Sequence, residues 1–157
     1  HPAEQRVCIT PAYFVPGEEL RERLCVAGDR GVKVETLLPG PHADKRFVQQ
    51  AGQSVFERLL RHGVRIWRFR PSMLHAKIMT VDGLVANVGS ANFNARSTEL
   101  DEEINLVALD PALVRLLDEQ FEDDLDRSEE VDADRWRDRS LRRRVLEGLT
   151  KPLRHKI

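Results

Sequence analysis

A histidine and a lysine stand two residues apart at His75 and Lys77, and a serine and an asparagine two apart at Ser90 and Asn92. On an extended backbone side chains alternate between faces, so His75 and Lys77 share one, about 6.6 Å apart at a rise of about 3.3 Å per residue. Charged groups at that spacing in an otherwise apolar strand are costly unless a ligand uses them. A phosphate diester would use them. An ammonium and a carboxamide can take its two non-bridging oxygens, a hydroxyl adds a further contact, and an unprotonated imidazole is a nucleophile for phosphorus. No carboxylate cluster for a metal lies beside these residues in the sequence, so the reading calls for neither metal nor cofactor.

What must position them is a hairpin. Asp82-Gly83 is a favoured two-residue turn between the runs KIMTV and LVANVG. With that turn as the whole loop, Val81 faces Leu84, Met79 faces Ala86, Lys77 faces Val88, and His75 comes to lie opposite Ser90. The cluster then gathers at one end of the hairpin, where Gly89 permits close backbone approach. Asp82 has the other parity from His75 and is expected to serve the turn, not the reaction.

Around the hairpin the apolar pattern alternates between strand and helix. RVCITPAYF reads as a strand broken by Pro11, GEELRERLCVAGDRG as a helix with Leu20, Leu24 and Ala27 on one stripe and its end at Gly31, and VKVETLLPG as a strand. The unit recurs: KRFVQQAGQSVFERLLRHG places Phe47, Ala51, Val55, Leu59 and Leu60 on one helical face, stops at Gly63, and leads into the strand VRIWRF. After the hairpin, EINLVALD reads as a strand and DPALVRLLDEQFEDDLDRS as a helix with Leu113, Leu116, Leu117, Phe121 and Leu125 inward and Pro111 in its first turn. A last amphipathic helix is expected from Trp136 to Gly148, with fraying beyond Pro152. The expected fold class is α/β, a mixed sheet flanked by helices on both faces, in one domain of residues 1–157 whose stretch from about 130 onward is a peripheral basic tail.

Over the 157 residues, 25 Lys and Arg nearly cancel 26 Asp and Glu, so nucleic acid is not an expected partner. The balance is uneven: residues 122–134 carry eight acids against Arg127, and residues 135–157 carry nine Lys and Arg against Asp138 and Glu147. That basic tail reads as a solvated helix face or as a contact for an anionic membrane surface. Cys8 and Cys25 have no metal-ligand spacing and read as small buried thiols in a reducing compartment. No apolar run reaches the roughly 18 residues of a membrane span and no signal peptide is visible, so the chain as given is expected to be soluble. It begins at His1, directly before a strand-like run, and is expected to be a fragment of something longer.

The pattern H-x-K-x4-D-x6-G-S-x-N, filled by His75, Lys77, Asp82, Gly89, Ser90 and Asn92, resembles the signature of the phospholipase D superfamily. Over nearly its whole length the chain is also similar to the carboxy-terminal half of bacterial cardiolipin synthases. ITPAYFVPGEEL, GVKVETLLPG, GVRIWRFRPSMLHAK, VGSANFNARS and INLVALDPAL follow in that family's order. It departs at Asn94 and Ala95, where such synthases often carry Asp and Pro. The resemblance implies a phospholipase D-like αβα sandwich, a phosphohistidine on His75, phosphate held by Lys77 and Asn92, and Glu103 orienting the histidine. It further implies phosphatidyl transfer from one phosphatidylglycerol to another, giving cardiolipin and glycerol, on the cytoplasmic side of a bacterial cell membrane.

A departing alcohol needs an acid separate from the attacking His75. His62 is expected to meet a helix carboxyl end, His1 and His155 lie at the termini, and His42 is the other loop histidine. In the resembling family the acid comes from a second copy of the motif, and this chain has one. The expected partner is therefore a second motif-bearing half, in the same polypeptide or as a homodimer. Two other functions fit the residues: a homodimeric phosphodiesterase or nuclease, although the basic residues gather in the tail and not at the site, and a non-catalytic phosphate-binding or dimerisation half.

Overall fold

Why the pattern alternates is visible in the computed structural model, which describes residues 2–41, 55–94, 102–133 and 136. The elements are β1 (Arg6–Pro11), β2 (Phe14–Val15), α1 (Glu18–Asp29), β3 (Lys33–Pro39), α2 (Phe56–Arg61), β4 (Arg65–Phe69), β5 (Lys77–Val81), β6 (Val85–Gly89), β7 (Phe93–Asn94), β8 (Asn105–Leu109), α3 (Pro111–Leu125) and β9 (Ser128–Glu130). Seven strands form one sheet in the order β8-β6-β5-β1-β3-β4-β9, and β2 pairs with β7 in a separate two-stranded piece. β1, β3 and β4 run parallel, as crossovers through intervening helices require. β5, β6 and β8 continue the sheet antiparallel, and β9 runs antiparallel on β4.

Alternation along β1 divides the core between the two faces. Val7 and Ile9 face α1 and α2, packing with Leu24, Val34, Phe56, Leu59 and Ile66. Cys8 faces α3 and packs with Leu37, Phe69, Phe121 and Leu125. The mixed sheet with helices on both faces is therefore present as expected. Both cysteines are buried and free, and burial pushes the Cys8 thiol up to about 12.

Three details differ from the expectation. The inward stripe of α3 includes Val114, which has no exposed surface, whereas Leu116 is 57% exposed. The Asp110 carboxylate caps this helix by accepting from the N–H groups of Ala112 and Leu113, and the helical period then carries Val114, Asp118, Phe121 and Leu125 toward the sheet. Second, β9 has no apolar signature. It is held on β4 by its ladder and by pairs of Arg65 with Glu130 and Arg70 with Glu129. Third, the hairpin register is one residue off, as described below. The first part of the expected helix before Gly63, and the expected final helix apart from Trp136, lie outside the described residues; Trp136 itself packs on Phe56 with ring centroids 5.2 Å apart. No described helix is long and apolar enough to cross a membrane.

Candidate active site

The site is built where β5 leaves the carboxyl end of β1. The register Val7 with Val81, Ile9 with Met79 and Pro11 with Lys77 puts Lys77 on the α1 face, in line with the core residues Met79 and Val81. Thr80, of the other parity, donates instead to the Asp118 carboxylate on α3. Lys77 is partly buried, and its Nζ donates to the His75 carbonyl at 3.3 Å. Burial pushes its ammonium below the ordinary lysine range, and the Glu103 carboxylate only partly opposes this. The His75 side chain is exposed just ahead of the strand, and its ring meets that of Tyr13 with centroids 6.1 Å apart and planes at 86°.

The second half of the motif is fastened to β8. Ser90 donates through its backbone N–H to the Ile104 carbonyl at 2.9 Å, and its hydroxyl accepts from the Ile104 N–H at 3.0 Å. That hydroxyl donates to the Glu103 carboxylate. Gly89 makes this possible. It pairs with Asn105, and a Cβ there would lie 1.9 Å from Asn105 Oδ1 and 2.3 Å from the Ile104 carbonyl oxygen. Only a residue without a side chain lets β8 come this near. Glu103 thus meets Ser90 and lies in the field of Lys77; the hydrogen bond expected from it to His75 is not formed.

The expected two-residue hairpin is corrected to a loop of three residues. Asp82 and Gly83 both have positive φ, 53° and 67°, and Leu84 N–H closes the turn on the Val81 carbonyl at 3.0 Å. The ladder nevertheless resumes with Val81 against Val85, Thr80 against Ala86, Met79 against Asn87 and Ile78 against Val88. The physical reason is burial. This register hides Ala86, with no exposed surface, beneath α3 and leaves Leu84 54% exposed, whereas the expected register would turn the Asn87 carboxamide into that apolar face. His75 is consequently not registered opposite Ser90, and Asn87 shares the face of Lys77.

A cleft of about 350 Å³ lies beside this cluster, lined by Asn87, Asn92, Phe93, Asn94 and Asn105 against the first turns of α1. The Oδ1 atoms of Asn87 and Asn92 are buried without a hydrogen-bond partner, which leaves their acceptor capacity for a ligand. Asp82 serves more than its turn. Its carboxylate accepts from the backbone N–H groups of Glu4, Gln5 and Arg6, each at 2.8 Å. Partial burial works to raise its pKa, but these three donors, helped by Arg30, outweigh it and hold the carboxyl below its ordinary range. His62 bonds to the Asp29 carboxylate at the end of α1, at 2.8 Å, and His42 lies outside the described residues. Among the described residues no group of three or more His, Cys, Asp or Glu is placed to hold a metal ion.

Sequence spacing identifies the motif side chains but not Tyr13, Asn87 or the grip of Asp82 on residues 4–6, because all three depend on which strands become neighbours. A faint signal for Tyr13 exists: it lies two residues beyond Pro11, and His75 two before Lys77, so the β1–β5 register brings them together once that pairing is known.

Comparison with known proteins agrees with this architecture. The family described as "Cardiolipin synthase, PLD-like domain" matches residues 1–125. The chain is 37% identical over 146 residues to "Cardiolipin synthase 2" of Bacillus anthracis, which covers 93% of this chain and 28% of that protein. It thus spans a little over a quarter of that relative's length. Among solved structures, phosphatidylserine synthase from Haemophilus influenzae superposes with a TM-score of 0.76 at 16% identity, over 99% of this chain and 42% of that one. Nuc from Salmonella typhimurium, a phospholipase D family member, superposes with a TM-score of 0.70 at 18% identity, over 82% and 83% of the two chains. At such identities the likeness is one of fold.

Proposed function

The chain belongs to the cardiolipin synthase PLD-like domain family, and from that premise we propose that it is one catalytic half of an enzyme that transfers a phosphatidyl group through a phosphohistidine on His75. The observation that carries this reading is the exposed His75 beside a partly desolvated Lys77 whose neighbourhood already includes Ser90 and Glu103. An ammonium stripped of part of its water binds a phosphate oxygen more strongly than a solvated one. Lys77 and Asn92 hold the non-bridging oxygens, and Glu103 fixes the Ser90 hydroxyl.

In the first step a His75 nitrogen bonds to phosphorus of phosphatidylglycerol as the P–O bond to glycerol breaks, and the glycerol oxygen takes a proton from a separate acid. In the second, the hydroxyl of another phosphatidylglycerol returns a proton to that group and attacks phosphorus. The N–P bond breaks, leaving cardiolipin and free His75. The acid comes from a second motif-bearing half. Support for a docked half comes from β8, the edge strand of the sheet, and the residue before it, beside Glu103: Ile104 and Leu109 are 81% and 82% exposed, and Leu106 and Val107 64% each. An open strand edge with apolar side chains on both faces is a surface that natural proteins cover.

Phosphorus-labelled phosphatidylglycerol supplied to the intact protein in membranes should leave acid-labile label on His75 and release glycerol and cardiolipin. Cardiolipin formation persisting in His75→Ala at near-normal rate would overturn the reading. Turnover of single-stranded DNA without turnover of phosphatidylglycerol would move it to a nuclease.

A further inference from the structure

Three consecutive residues between β1 and α1 link His75 to the segment that follows Asn92. The antiparallel register that sets Ile9 against Met79 and Pro11 against Lys77 runs on, beyond the ladder, to bring Tyr13 to His75, with ring centroids 6.1 Å apart and planes at 86°. The next two residues, Phe14 and Val15, pair in parallel with Phe93 and Asn94, directly after Asn92. The chain is bent into this course by the residues that follow β1: Ala12, Phe14 and Val15 are buried, so the segment cannot swing outward without exposing apolar surface. Among the described residues the His75 ring has no hydrogen bond, and the Glu103 carboxylate, in whose field Lys77 lies, accepts from the Ser90 hydroxyl. The ring of Tyr13 is the aromatic contact that the imidazole makes.

We propose that Tyr13 is a positioning residue for His75. Perpendicular aromatic rings attract through edge and face, and this contact confines the imidazole to orientations that present one nitrogen to the phosphate bound by Lys77 and Asn92. The Phe14–Val15 pairing ties that restraint to the Asn92 turn, so nucleophile and amide donor move as one body. Fixing a nucleophile before attack raises the rate of the chemical step and leaves ground-state binding nearly untouched. The inference rests on the reading of His75 as the nucleophile.

The test has two arms. In the chain itself, proton NMR should show cross-relaxation between the Tyr13 ring and the His75 imidazole, with ring-current shifts on the imidazole that survive Tyr13→Phe and vanish in Tyr13→Leu. In the intact enzyme, single-turnover labelling of His75 by phosphatidylglycerol should slow roughly tenfold in Tyr13→Leu with KM within about twofold of wild type, while Tyr13→Phe stays within about twofold in both. Absence of cross-relaxation in the wild-type chain overturns the proposal without any variant having to fold. So does unchanged labelling in Tyr13→Leu, or a loss in Tyr13→Phe as large as in Tyr13→Leu. If the wild-type enzyme itself takes no label, the nucleophile reading falls first and the role of Tyr13 with it; normal labelling in Tyr13→Leu removes Tyr13 alone.

Discussion

The two ends of the sheet treat charge in opposite ways. At the end where β1 and β3 begin, Glu35 has no exposed surface and is met by Arg6 at 2.8 Å, Lys33 at 3.0 Å and Arg65 at 3.3 Å. Arg6 and Arg65 continue to Glu122 and Glu130, and Asp82 at the same end is satisfied by three backbone donors. Where β1 finishes, the partly buried Lys77 has, among the described residues, only the His75 carbonyl as hydrogen-bond partner. A buried carboxylate is tolerable when cations enclose it, and removing such a partnership is costly. Polar groups left short of partners are tolerable where a ligand completes them. The first end holds the fold together, and the second is where the proposed function seats a phosphate.

That contrast can be broken by mutation. The largest effect is expected from Glu35→Ala, which should cost about 3–5 kcal/mol in urea unfolding because three cations lose their common partner, while the labelling rate per folded molecule stays near wild type. Lys77→Ala should do the reverse: phosphohistidine formation slows on the order of 10²-fold, as when a preorganised oxyanion donor is lost, with little change in melting temperature. If either variant moved both readouts equally, the division between the ends would be wrong. Gly89→Ala sharpens the boundary, since residue 89 never needs to touch substrate. A methyl group there meets the Asn105 side chain and the Ile104 backbone, so a loss of about 1–3 kcal/mol from overpacking is expected, with weaker labelling following from the displacement of β8.

The smallest effect is the most specific in pH. Asp82 has a folded pKa below its ordinary value, so its contribution is present above the unfolded pKa, near pH 4, and is lost as pH falls through the folded value. Asp82→Asn keeps a residue that tolerates positive φ and one acceptor oxygen, and should cost about 1–2 kcal/mol at neutral pH. In acid titrations followed by circular dichroism the variant should lose less stability than wild type between about pH 4 and pH 2. An identical slope in the two proteins would assign acid sensitivity to other carboxylates.

How much of this was legible beforehand follows from the range of each interaction. The motif residues, the strands of β1, β3 and β5, and the helix of α1 are written in short periods that survive any arrangement of neighbours. The hairpin register was not, because Asp82-Gly83 does form a tight turn and the choice between Leu84 and Val85 as partner of Val81 is made by Ala86 under α3. The three polar residues of β9 become a strand by backbone pairing with β4, with Arg65 and Arg70 alongside their carboxylates. Asn87 reads as an ordinary polar strand residue until the register places it on the cleft side, and the partner of Glu103 could not be read because Ser90, thirteen residues before it, meets it only once β8 pairs with β6.

The carboxylate of Asp82 grips amides that lie 76 to 78 positions earlier in the chain. During synthesis β1 can meet β3 within its own first αβ unit, yet its other flank stays open until β5 and the turn at Asp82 have left the ribosome. For that interval a central, apolar strand is an unguarded edge. Closure of the second edge of β1 and delivery of His75 and Lys77 are therefore one event, so a nascent chain interrupted before residue 75 lacks both its guard and its chemistry.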